Sequence, residues 1–306
     1  MISYPNVKVN LGLNVLRRRP DGYHDLETLF VPYHEIHDVL EVISGDDYSR
    51  TSASLFARYG GAPGQKDGEG TRMLSQAVSP DGKMMITVAR KEGVDWDPLK
   101  DLCARAYAVL DADFGLPPVK IFLEKLSPVG AGLGGGSADA AFTLRMLEKM
   151  FSLGLDDGTL AGYASRLGSD CAFFIYDRPM FGEGRGEILS EFHFSDMRLS
   201  CGVESGYSGA GNAKEYELKV VVPEGISVST ADAYKGICPC MPEVPLKEVL
   251  SMPVEQWRRF LRNDFEPAVF RKYPQLEAIK ESLYGSGAVY AAMSGSGSAL
   301  FAIYEK

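Results

Sequence analysis

Pro128-Val-Gly-Ala-Gly-Leu-Gly-Gly-Gly-Ser-Ala-Asp-Ala-Ala141 decides how this chain is read. Its five glycines, Gly130, Gly132, Gly134, Gly135 and Gly136, run straight into a helix-forming stretch, Ala138 to Met150. A backbone without Cβ atoms can curl tightly and aim several N–H groups at one spot. The helix behind it adds unpaired N–H donors and the positive end of its dipole. Together these predict a cradle for a polyphosphate. The plainer alternative is a flexible loop closed by a Ser137 N-cap, but a linker rarely abuts a helix start so cleanly.

Neither common fingerprint fits the loop well. A Walker A loop ends in Gly-Lys-Ser/Thr, and Gly136 stands where its Lys belongs. Gly130, Gly132 and Gly135 satisfy G-x-G-x-x-G, a weak match within a glycine run. Pro128 just ahead cannot donate to a strand ladder. An NAD(P)-dependent oxidoreductase would also need an acidic residue about 20 positions on, where Asp156 and Asp157 read instead as a helix cap.

Composition narrows the classes. The 306 residues favour two domains, and a 45% apolar fraction supports an ordinary core. No run is apolar enough to span a membrane. Residues 1–14 lack the apolar stretch and cleavage site of a signal peptide, so a cytoplasmic location is expected. A net charge of −9 argues against a nucleic-acid partner. Five scattered cysteines without Cys-x-x-Cys, and four histidines, build no persuasive metal site.

Val7, Val9, Leu11, Leu13 and Val15 alternate with Asn6, Lys8, Asn10, Gly12 and Asn14, the period of a half-buried strand. Its polar face is either solvated or turned to a polar ligand. Asp21-Gly22 marks a hairpin, followed at once by Tyr23 and His24. Strands are expected at 26–33, 38–43, 84–89, 119–123, 219–222 and 299–304. Residues 46–96 look least regular, with a mobile loop at 60–71. Asp97-Pro98 is expected to cap a helix stopped by Gly115. Further helices are expected after the glycine loop, over 157–167, from Ala231, and around Trp257 and Leu276. Cys171 to Tyr176 reads as an apolar strand with Asp170 at its mouth.

Three segments now stand in order: Val7-Lys8-Val9-Asn10, the loop at Pro128 to Ala141, and Ser294-Gly-Ser-Gly297. This pattern resembles that of the GHMP kinases, which include galacto-, homoserine, mevalonate and phosphomevalonate kinases. Asp21-Gly-Tyr-His24, Gly168-Ser-Asp-Cys-Ala-Phe173, Phe181 to Glu187, Ser229 to Tyr234 and Asn263-Asp-Phe-Glu266 extend the likeness along nearly the whole chain outside 46–96. They are similar to the branch whose substrate is a methylerythritol carrying a cytidine diphosphate.

The resemblance implies an α+β, two-domain GHMP kinase architecture with a central active-site cleft. The division is expected as 1–177, carrying an insertion at about 46–96, and 178–306. It implies ATP and Mg²⁺ as cofactors and phosphoryl transfer to the 2-hydroxyl of a small-molecule substrate. Pro128, Gly130, Gly132, Leu133, Gly134, Gly135, Gly136, Ser137 and Ala138 would bind the nucleotide, with Ser137 the nearest protein contact for the metal. Lys8 and Asp170 match the catalytic pair, the carboxylate taking the acceptor proton and the ammonium lowering its pKa and neutralising the migrating group. Asn10 would hold the methylerythritol. Tyr23 and Tyr234 would sandwich the cytosine, a stacking contact of about 1–3 kcal/mol per base. His24 would read the cytosine edge, and Thr230 and Lys235 lie where the diphosphate is reached. The chain departs from the pattern at two places. Asp101 replaces a usual Asn near the adenine pocket, and Arg185 a usual small apolar residue in the second glycine turn. A GHMP kinase for another acceptor, or a binding protein that kept the loop, are the remaining alternatives.

Overall fold

A computed structural model describes residues 1–45, 50–59, 72–195, 197–202 and 213–306. The loop expected at 60–71 lies outside the described residues. In chain order the elements are β1 (Ile2–Ser3), β2 (Asn6–Arg18), β3 (His24–His37), β4 (Val39–Ser44), α1 (Arg50–Tyr59), β5 (Arg72–Val78) and β6 (Met84–Val94). Then follow α2 (Leu102–Phe114), β7 (Val119–Lys125), α3 (Gly135–Phe151), α4 (Asp157–Ser165) and α5 (Cys171–Tyr176). The remainder is β8 (Met180–Glu183), β9 (Ile188–Glu191), β10 (Met197–Ser200), β11 (Lys214–Val221), α6 (Thr230–Lys235), α7 (Leu246–Leu250), α8 (Val254–Phe260), α9 (Glu266–Lys272), α10 (Pro274–Gly285), β12 (Tyr290–Met293) and β13 (Leu300–Glu305).

The chain forms two compact units. One comprises residues 1–6, 36–127 and 135–176, the other 7–35, 128–134 and 177–306. In the first, five strands run in the order β1-β4-β7-β6-β5, with β6 and β7 parallel and the other pairs antiparallel. Helix α3 packs on α2, α5 and β4. In the second, one four-stranded sheet runs β2-β3-β8-β9 and another runs β10-β11-β13-β12. Among the described residues no helix is long and apolar enough to cross a membrane.

Three sequence expectations are corrected. Cys171 to Tyr176 is helical, not a strand. Six apolar residues look alike in either state when every side is covered, and Cys171 to Ile175 are all buried. The Arg145 guanidinium donates to the Ile175 carbonyl and closes the helix end.

The helix after Asp97-Pro98 also begins later than expected. Pro98–Lys100 form only a single 3₁₀ turn, with Asp97 accepting from the Leu99 amide at 3.0 Å. Asp101 is the true cap of α2, accepting from the Cys103 amide at 2.9 Å and from Trp96 Nε1 at 3.0 Å. Its carboxylate therefore serves the helix, as N-cap chemistry requires of an acceptor.

Much of 46–96 is regular. β5 and β6 form an antiparallel pair, and β6 adds to β7. Leu55 of α1 is fully buried with Ile43, Ala89 and Phe122. Arg58 meets the buried Glu124 with two hydrogen bonds, 2.5 and 2.7 Å, and the Tyr59 hydroxyl donates at 2.9 Å. A buried carboxylate without such donors would be strongly disfavoured.

Candidate active site

The glycine loop is a tight turn made possible by its composition. Gly130, Gly132 and Gly134 have φ of +74°, +77° and +75°, which side chains with a Cβ adopt only at a cost. Three successive carbonyls of the loop, those of Ala131, Gly132 and Leu133, are engaged. Ala131 O accepts from the Ala299 amide at 3.1 Å, and Leu133 O from the Lys8 amide at 2.9 Å. Gly132 O accepts from Lys8 Nζ at 2.9 Å and from Ser294 Oγ at 3.2 Å. Among the described residues the amides of Gly132, Leu133 and Gly134 donate to no protein acceptor. Fixed carbonyls with unused amides make the nest that anions occupy.

Strand β2 supplies the floor of this loop. Asn6, Lys8, Asn10 and Asn14 are buried, so the polar face of the strand is not a solvated one. Lys8 Nζ donates to Asn10 Oδ1 at 2.5 Å and lies 5.5 Å from the Phe30 ring centre. Asn10 Nδ2 donates to Thr28 Oγ1 at 3.1 Å, and the Asn10 amide donates to Ser294 Oγ at 3.2 Å. Ser294 thereby touches both the strand and the loop.

The turn at 294–297 is pinned from behind by Asn263, a residue whose role spacing did not reveal. Its Nδ2 donates to Met293 O at 2.7 Å and to Gly295 O at 2.8 Å, and its Oδ1 accepts from the Phe265 amide at 3.0 Å. Glu266 accepts from the Met293 amide at 2.8 Å and pairs with Lys280 at 2.6 Å.

Tyr23 is exposed, and the Arg185 guanidinium lies over its ring at 4.9 Å. Glu187 holds the turn of Arg185 by accepting from its backbone amide at 2.5 Å. Tyr234 stacks on His24, with centroids 4.9 Å apart and planes at 21°. Phe265 meets the Tyr234 ring edge-on at 4.9 Å. Thr230 Oγ1 is 3.1 Å from Ser296 Oγ. Lys235 is exposed and paired with Asp232 at 2.7 Å. The structure thus brings His24 and Tyr234 together, and Tyr23 and Arg185 together.

In the other unit, Gly135 opens α3 and Gly136 is exposed in its first turn. Ser137 lies within that turn, not at its cap, and Cys171 is buried. Burial pushes the Cys171 thiol up to about 11, so it stays neutral. Asp170 directly precedes α5 and accepts from the Ser169 hydroxyl at 3.3 Å.

The profile for the GHMP kinases N terminal domain matches residues 101–178, and that for the GHMP kinases C terminal matches residues 246–306. A 4-diphosphocytidyl-2-C-methyl-D-erythritol kinase of Bacteroides fragilis is 41% identical over 305 residues, all of this chain and 92% of that protein. The chain belongs to the GHMP kinase family. One of the same name from Nitratidesulfovibrio vulgaris is 34% identical, over 98% of this chain and 88% of its own. A crystal structure of 4-(cytidine 5'-diphospho)-2C-methyl-D-erythritol kinase superposes with a TM-score of 0.68 at 28% identity, covering 99% of this chain and 89% of its own. The Methanococcus jannaschii mevalonate kinase shares the fold at 12% identity and a TM-score of 0.58. This family's enzymes are ATP-dependent kinases, so the glycine loop belongs to a phosphotransferase and not to an oxidoreductase.

Proposed function

We propose that this GHMP kinase transfers the γ-phosphoryl group of ATP to the 2-hydroxyl of 4-diphosphocytidyl-2-C-methyl-D-erythritol. The observation that carries the reading is the loop, where the carbonyls of Ala131, Gly132 and Leu133 are held by Ala299, Lys8 and Ser294 while, among the described residues, the amides of Gly132, Leu133 and Gly134 donate to no protein acceptor. Full-length likeness to kinases of that name supports the choice of acceptor.

Phosphoryl transfer needs positioning and charge stabilisation more than covalent chemistry from the protein. The amides of Gly132 to Gly134, continued by the first turn of α3, hold the phosphates in this reading. Pro128, Gly130, Leu133, Gly136 and Ala138 shape the same segment. Lys8 keeps its ammonium beside the loop and neutralises the migrating group. Asp170 takes the proton of the acceptor hydroxyl, and Asn10 orients the methylerythritol. Tyr23 offers an exposed ring face to the cytosine. His24 and Tyr234 form one stacked aromatic unit that reads the base, with Thr230 and Lys235 toward the diphosphate.

Among the described residues no group of three His, Cys, Asp or Glu side chains could hold a metal. One serine hydroxyl at a helix start suits Mg²⁺, which keeps phosphate oxygens and water as ligands. Ser137 is the residue that would hold it, and the ion would supply positive charge to offset that of the phosphates. The family division at 177/178 remains part of this proposal.

Thermal-shift titration with CDP separates this acceptor from mevalonate or homoserine. A concentration-dependent rise in Tm with CDP, and none with mevalonate or homoserine, is expected. A protein stabilised by homoserine or mevalonate but indifferent to CDP contradicts the assignment.

A further inference from the structure

A buried charge cluster to which the proposed chemistry assigns no role lies under the first turn of α3. Lys125 ends β7 and extends Nζ to Asp38 Oδ2 at 2.5 Å and to Asp139 Oδ2 at 2.6 Å. Asp38 Oδ1 accepts from the amides of Leu126 and Ser127 at 2.6 and 2.7 Å, and its Oδ2 from the Ser127 hydroxyl at 2.7 Å. All four side chains are buried. Asp139 Oδ1 is buried with no hydrogen-bond partner.

Such a cluster is a weak source of stability, since well-packed apolar residues usually serve as well or better. An orphaned carboxylate oxygen makes it weaker still. Its placement offers a different reason. Gly135 and Asp139 are four residues apart in α3, on one face, and the Asp139 side chain leans toward the N-terminus. A Cβ on Gly135 would lie 2.2 Å from Ser127 Oγ and 3.1 Å from Lys125 Nζ. The first turn of the helix therefore sits directly on the cluster.

We infer that Asp139 and Lys125 are positioning residues for the nucleotide: they fix the seat of the α3 N-terminus, and so the direction in which its amides meet the phosphates. The inference rests on the ATP reading above. A lone ammonium at a helix N-terminus opposes the helix dipole. Here the Asp38 carboxylate offsets it and Asp139 accepts its second hydrogen bond, so the lysine ties the helix to β7 without repelling the helix start. Burial pushes Asp139 well above the ordinary carboxylate range despite Lys125. Asp38 is held below that range: burial opposes its charge, but Lys125 and the Ser127 donors outweigh it.

Two variants and one rescue test the seat, with steady-state KM measured for each substrate. Asp139→Ala, which frees Lys125 on one side, is expected to raise the ATP KM about 5- to 10-fold while the KM of the acceptor stays within twofold. Asp139→Asn keeps an oxygen acceptor for Lys125 and is expected to restore the wild-type ATP KM. Gly135→Ala, which meets Ser127 Oγ, is expected to raise the ATP KM at least 10-fold. Adding Ser127→Ala removes that oxygen and should recover most of the loss. Calorimetric binding of ATP to the wild type is the control, and its absence would overturn the nucleotide reading itself. With ATP bound by the wild type, the inference is overturned if Asp139→Ala lowers Tm but leaves the ATP KM unchanged. It is overturned equally if Asn is no better than Ala, or if Ser127→Ala fails to rescue Gly135→Ala. Should Asp139→Ala not fold, the Gly135/Ser127 pair decides alone.

Discussion

Replacing Gly132 by alanine separates a functional loop geometry from a merely flexible one. An added Cβ would stand 2.3 Å from the Ser294 carbonyl oxygen, 3.0 Å from the Gly297 amide nitrogen and 3.2 Å from the Gly297 oxygen. All three atoms are backbone, so no rotamer change relieves the overlap. Ordinary contact begins near 3.4 Å, so loop and turn must separate by about 1 Å. A misplacement of that size near the chemistry costs about 100-fold in rate. The left-handed φ adds about 1–2 kcal/mol for an L residue, and overpacking about 1–3 kcal/mol. Tm is then expected to fall by about 5–15 °C, at about 2–4 °C per kcal/mol for domains of this size. Gly130→Ala is the matched control. Its φ is also left-handed, but the nearest atom to its Cβ is Ser227 Oγ at 3.6 Å, so it carries the conformational cost alone. Steady-state kinetics and differential scanning fluorimetry on both variants read the two effects apart. Gly132→Ala should lose about 100-fold in kcat/KM for ATP, and Gly130→Ala less than 10-fold. Equal losses in the two variants would refute the steric argument.

Asp170→Asn should lower kcat by about 10²–10⁴-fold, the range of general-base catalysis, with Tm within 2 °C (on the order of a surface change); activity near wild type would remove Asp170 from the mechanism. Arg185→Leu takes a cation from the Tyr23 ring, worth about 0.5–1 kcal/mol at an exposed site, and should raise the acceptor KM about 2- to 5-fold with the ATP KM unmoved. Asp139 holds its proton more tightly folded than unfolded, so its contribution to stability is full at low pH and lost as pH rises through the raised value. Thermal scans from the ordinary carboxylate range upward should show a decline in Tm that Asp139→Asn lacks; parallel curves would contradict the shift.

The parts of this molecule legible in the sequence were those fixed by local chemistry. A glycine run before a helix former announced the tight turn that leads into α3, although the left-handed positions proved to be 130, 132 and 134, not the fingerprint set 130, 132 and 135. The alternation of Val7 to Val15 announced β2, and its buried Lys8 and Asn10 explain the costly polar face. What depended on long-range packing was not legible. Cys171–Tyr176 lacked a period to reveal its helix, because all sides are covered. Asp101 became a cap through a Trp96 contact and a local turn. Asn263 reaches a turn 30 residues away, and Lys125 reaches Asp38 across 87 positions. No spacing rule links such pairs; only the folded sheets do.

The most direct test follows the transferred group itself. Purified protein is incubated with ATP, Mg²⁺ and 4-diphosphocytidyl-2-C-methyl-D-erythritol, and the products are examined by mass spectrometry and phosphorus NMR. The account predicts ADP and an acceptor heavier by one phosphoryl group, carried as a monoester on the 2-hydroxyl. An unchanged acceptor, or phosphate released to water alone by a protein that still binds ATP, would contradict it.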